Sequence, residues 1–132
     1  MGSRLTCALL VLFGLAVPQA VLAEPPAAGS IHTFRDPLSQ SGTVFCDGLE
    51  QVHAIARAND PDGVYALYRG TPNALNEPIC MAMVPTGRVV EVLPLGVMVR
   101  NGRNYDTWAI ETDIDGTTVF GLYVEQASYI GV

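Results

Sequence analysis

Residues 108–124 read WAIETDIDGTTVFGLYV, and the fold turns on what the acidic centre of this stretch is. Glu111, Asp113 and Asp115, followed by Gly116, match the opening of a twelve-residue calcium loop. Position 12 of such a loop is Leu122, where a bidentate glutamate belongs, and no helical pattern flanks it. Asp115-Gly116 instead stands between two alternating apolar segments, and a two-residue type I′ turn needs positive φ at both central positions, which Asp-Gly supplies. The stretch predicts a β-hairpin. Its register sets Ile114 opposite Thr117, Thr112 opposite Val119 and Trp108 opposite Tyr123, with Glu111 and Asp113 on the other face. Those two carboxylates stand about 6.7 Å apart along a strand, a separation that overlaps the one used by inverting glycosidases. A solvated strand face is the simpler reading of the pair, and an acidic-site hydrolase using Glu111 and Asp113 is the catalytic alternative.

Upstream of the hairpin, short β-rich runs alternate with turn signals: ICMAMV, PTG, RVVEVL, GVMVR and NG, from Ile79 onward. This half reads as an antiparallel meander. Before it, TVFC (43–46) is a short first strand. Asp47 with Glu50 three residues later predicts a capping box, and Leu49, Val52, Ile55 and Ala56 recur at helical spacing, opposite the polar stripe of Glu50, His53 and Arg57. Asn59 ends that helix. Asp60-Pro61 predicts a second, shorter one through Val64, Leu67 and Tyr68 to Gly70. TPNALNEP (71–78) is a loop. Residues 24–42, EPPAAGSIHTFRDPLSQSG, carry no sustained periodicity and read as a flexible leader, which leaves 43–132 as one domain.

At the start of the chain, Arg4 precedes an apolar run from Leu5 to Val17, and small residues stand at Val21 and Ala23. These features predict a signal peptide over residues 1–23. The run is too short for a spanning helix, so no membrane anchor is expected after cleavage. Of the seven basic residues, all arginines, Arg4 lies in the signal; six then face thirteen acids, a net charge near −7. Such a surface disfavours nucleic acid. The short signal and the absence of lysine point to a bacterial periplasm, with secretion the broader expectation.

Of three cysteines, Cys7 lies in the signal, and Cys46 and Cys80 most simply form one disulfide in an exported chain. Zinc on Cys46, Cys80 and His53 would fit no usual spacing. Met81, Met83 and Met98 are soft donors of the kind that hold cuprous copper, but Met81 and Met83 share one strand face and are expected to pack in the core. No serine or cysteine stands in a nucleophile motif. No metal, cofactor or enzymatic activity is expected, and a periplasmic copper-binding protein stands beside the acidic-site hydrolase as an alternative reading.

RVVEVL (88–93) and WAIETDIDGTTVFGLYVEQASYI (108–130) resemble the C-terminal half of bacterial SH3-like domains, with Trp108, Gly116, Gly121, Val124 and Tyr129-Ile130 in the characteristic places. Where that family carries an Asn-Val-Arg-Ser-Gly-Pro type motif, this chain has ICMAMVPTG (79–87). FCD, EQV and the later cysteine are also similar to small exported proteins of unknown role from alphaproteobacteria. The expectation is an α+β domain: one or two N-terminal helices packed on a small curved antiparallel sheet or SH3-like β-barrel. Its function would be noncatalytic binding of a protein, peptide or cell-wall partner, with Trp108, Tyr105 and Tyr123 as the aromatic contact residues.

Overall fold

The computed structural model describes residues 24–36 and 41–126. The expected signal peptide, and Tyr129 and Ile130 of the SH3-like resemblance, lie outside the described residues. Among the described residues, six strands and two helices follow in chain order: β1 Ile31–Thr33, β2 Thr43–Cys46, α1 Leu49–Ala56, α2 Pro61–Arg69, β3 Cys80–Met83, β4 Thr86–Arg100, β5 Arg103–Ile114 and β6 Thr117–Gln126. The strands form one antiparallel sheet in the order β1-β4-β5-β6-β2-β3.

Two-residue turns build its centre. Asp115 (φ 52°) and Gly116 (φ 85°) close the β5–β6 hairpin, and Asn101 (φ 53°) and Gly102 (φ 73°) close the β4–β5 hairpin. All four residues occupy the left-handed region that a type I′ turn demands. The register places Trp108 opposite Tyr123, Thr112 opposite Val119 and Ile114 opposite Thr117, as the Asp-Gly turn requires.

Both faces of the sheet bury apolar residues. On one, Val52, Ile55 and Ala56 of α1 meet Met98, Tyr105, Ala109, Leu122 and Val124. On the other, Phe34, Phe45, Val89 and Ile110 make a second core. Phe34 directly follows β1 at one edge of the sheet and Phe45 lies on β2 near the opposite edge, yet their rings meet edge-to-face at 5.2 Å. The sheet must therefore curl into a half-barrel around this pair. Irregularities in β4 between Val89 and Glu91 and between Pro94 and Gly96 supply local bending, and they make room for a proline inside a fifteen-residue strand. Thr107 Oγ1 donates to Gly96 O at 2.8 Å across the second of these. Gly121 faces Phe45, and a Cβ there would sit 2.7 Å from the Phe45 ring, so only glycine lets that ring lie across β6.

Cys46 and Cys80 are paired residues of β2 and β3 and form a disulfide within the helix-side core. The outer edge of β3 is partly closed by α2, because the Ala82 N–H donates to the Tyr65 hydroxyl at 3.0 Å. Among the described residues no helix is long and apolar enough to cross a membrane.

Three expectations need correction. Residues 24–42 are not a flexible leader throughout: Ile31–Thr33 pair with Thr86–Arg88, and Phe34 is 0 % exposed. Composition hid this because one strand and one aromatic ring suffice to anchor the segment. Asp47 does not cap α1, whose N-cap is Gly48 without a side-chain bond; the Asp47 carboxylate instead accepts from Asn73 Nδ2 at 2.8 Å. Asn73 also accepts from the Leu75 and Glu77 amides and so orders the 71–78 loop. Met83 joins the second core, but Met81 is 42 % exposed, since it lies on the edge strand where cover ends. By contrast α2 begins as its sequence dictates, with Asp60 accepting from the Gly63 amide and Pro61 opening the helix.

Candidate functional site

The Trp108–Tyr123 pair belongs to a row of rings on the Phe34 side of the sheet. Ring centroids lie 5.8 Å apart between Trp108 and Tyr123, 6.1 Å between Tyr123 and His32, and 4.7 Å between His32 and Phe34. Phe34 is the buried end of the row, whereas His32, Tyr123 and Trp108 are half-buried. The Tyr123 hydroxyl donates to Glu125 Oε1 at 2.7 Å, which fixes the ring. Burial, and then the bond to and charge of Glu125, raise the phenol above its ordinary pKa, so it stays a neutral donor. The arrangement offers apolar and π surface with one carboxylate beside it.

Tyr105 is not part of this row. It is 3 % exposed, paired with Met98 in the helix-side core, and an odd number of residues from Trp108. Period-two alternation along β5 already places the two on opposite faces.

Glu111 and Asp113 share a face of β5, and the structure engages only the second of them. Glu111 stands opposite Glu91 and Phe120, and Asp113 opposite Arg88 and Thr118. Asp113 Oδ1 accepts from the Gly116 amide at 2.8 Å, so this carboxylate stabilises the turn. Among the described residues no three of His, Cys, Asp and Glu converge. His53 is exposed on α1, the sulfurs of Cys46 and Cys80 are consumed by their disulfide, and Met83 and Met98 lie in separate cores, so neither the zinc set nor the copper set is brought together. Thermal melts in calcium and in EDTA should accordingly coincide, because the hairpin lacks the closing carboxylate. A rise of several degrees with calcium would overturn the turn reading of 111–118.

A cavity of about 140 Å³ lies where α2 leans over the sheet. Asp62, Tyr65 and Arg69 of α2 line it at helical spacing i, i+3, i+7, and β4 contributes Met98 and Arg100. Arg100 is clasped between Asp62, at 2.9 Å, and Asp36, at 3.7 Å. Sequence reasoning missed this site. The stripe on α2 was visible, but its neighbours come from strands far away in the chain. No known family model matches the chain, and no curated protein or solved structure matches it.

Proposed function

We propose that this is an exported, noncatalytic binding protein of the SH3-like barrel type, and that His32, Tyr123 and Trp108 form its contact surface. The observation that carries the reading is the half-exposed aromatic row held on a rigid, disulfide-tied sheet. Amphipathic rings of fixed orientation lose little conformational entropy on binding and are over-represented among residues that dominate interfaces. The disulfide supports an oxidising compartment and hence the periplasmic or secreted location. A formal charge of −6, and Glu125 beside Tyr123, favour a peptide segment with basic side chains, whose cations also fit the faces of Trp108 and Tyr123.

Trp108 is the single tryptophan, so its fluorescence reports occupancy of the row directly. Titration with an arginine-rich peptide should shift or quench it saturably, and an acidic peptide of the same length should not. Tyr123→Ala should weaken the interaction at least about tenfold, as for an aromatic anchor. No response to basic peptides or soluble cell-wall fragments, or equal affinity in Tyr123→Ala, would remove the row from consideration.

A further inference from the structure

The cavity under α2 combines an apolar floor with separated charges at its rim. Ile55, Met98, Leu122 and Val124, all buried core residues, supply the floor. The rim holds Arg69, Tyr65 and Asp62 along one stripe of α2, where residue 65 lies about 4.5 Å further along the axis than residue 62. Arg69 is exposed and has no ion-pair partner among the described residues. The Tyr65 hydroxyl accepts the Ala82 amide, which leaves its own proton to donate toward the cavity. Asp62 gives one oxygen to Arg100 but keeps 62 % of its side chain exposed, so its carboxylate has acceptor capacity left.

We propose that this cavity binds a free α-amino acid with an aliphatic side chain. The carboxylate is met by Arg69 and the Tyr65 hydroxyl, the ammonium by Asp62, and the side chain by the Ile55–Met98–Leu122–Val124 floor. An α-amino acid carries all three groups on one carbon, and this pocket lines one wall with an acceptor at Asp62, donors at Tyr65 and Arg69, and apolar surface beside them. Residue 69 starts about 10.5 Å further along α2 than residue 62, a gap that the long Arg69 side chain, tilted toward the helix N-terminus, spans to reach the carboxylate. Size agrees for the side chain: a dry apolar cavity of about 150 Å³ takes benzene, and leucine's four-carbon side chain is smaller, while the charged groups lie at the exposed rim. Charge agrees as well. The lining balances Asp36 and Asp62 against Arg69 and Arg100, and a zwitterion pays no long-range penalty on a protein of net charge −6, whereas a simple anion does.

The purified oxidised protein is titrated by calorimetry and by NMR with L-leucine, glycine, N-acetyl-leucine and leucinamide. Leucine should bind with a Kd below about 1 mM. Glycine should bind more than about tenfold less tightly, since each buried methylene contributes roughly fourfold. N-acetyl-leucine lacks the ammonium and stands in for a peptide C-terminus, and leucinamide lacks the carboxylate and stands in for an N-terminus. Each should be at least about tenfold weaker than leucine, as expected when one charge-assisted hydrogen bond is lost. Arg69→Gln, at an exposed position and with an unchanged melting temperature, should weaken leucine by a similar factor, and Asp62→Asn should do so independently. Absence of saturable binding at about 10 mM, a level weaker than any specific site of this kind, would overturn the proposal. Either blocked leucine matching the free amino acid, or Arg69→Gln binding leucine like the unaltered protein, would overturn it too.

Discussion

Reducing the Cys46–Cys80 bond should lower the melting temperature by about 15–30 °C, the largest single effect expected in this protein. The bond joins residues 34 apart in sequence, and a closed loop of that size removes denatured-state entropy worth about 4 kcal/mol in the chain-entropy model. That is a large share of the roughly 5–15 kcal/mol that holds a domain together. The loop it closes contains both helices and the whole 71–78 segment, and the bond fastens β2 to the edge strand β3. Loss should therefore be felt first where α2 rests on β3 and the Tyr65–Ala82 bond closes the edge. Intact mass of the isolated protein should be two hydrogens below that of the dithiol. Free, alkylatable thiols in native protein, or a melting temperature unmoved by reductant, would contradict the assignment.

Phe34→Ala should cost about 3–5 kcal/mol, the range for removing a fully buried phenylalanine ring. Phe34 is the contact through which the two ends of the sheet meet, against Phe45 and beside His32. Its amide also donates to Pro85 O at 2.9 Å, at the turn from β3 into β4. Removing the ring opens a void in the centre of the second core rather than at its margin. Ile31→Ala is the control, because Ile31 is 67 % exposed on the same short strand and should change stability by no more than about 0.5 kcal/mol. Urea unfolding of the three proteins measures both effects. Equal stability of Phe34→Ala and the unaltered protein would show that residues 31–34 do not belong to the fold.

Phe34 also marks where sequence reading stops. Its segment is rich in proline, alanine and serine, and no periodicity within it signals structure. The stabilisation comes from Phe45, brought close only because β4 bends at its irregularities and the sheet curls. Asp47 is a similar case. Locally it has the right spacing for a capping box, but an amide donor from Asn73 takes the carboxylate after the 71–78 loop folds back. Tyr105 differs, because alternation along β5 was sufficient to exclude it from the Trp108 face.

The elements legible in the amino-acid sequence are those whose energetics are local. Positive φ at Asp115-Gly116 and Asn101-Gly102 is a property of the dipeptides themselves, and it determines two hairpins and, through them, the register that sets Trp108 against Tyr123. The Asp60 cap and Pro61 determine the start of α2 in the same way. Tertiary structure alone decided the curl of the sheet, the burial of Phe34 and the gathering of Asp62, Tyr65, Arg69 and Arg100 around one cavity. These depend on contacts between residues distant in sequence, whose free energy appears only once the intervening strands have paired and twisted together.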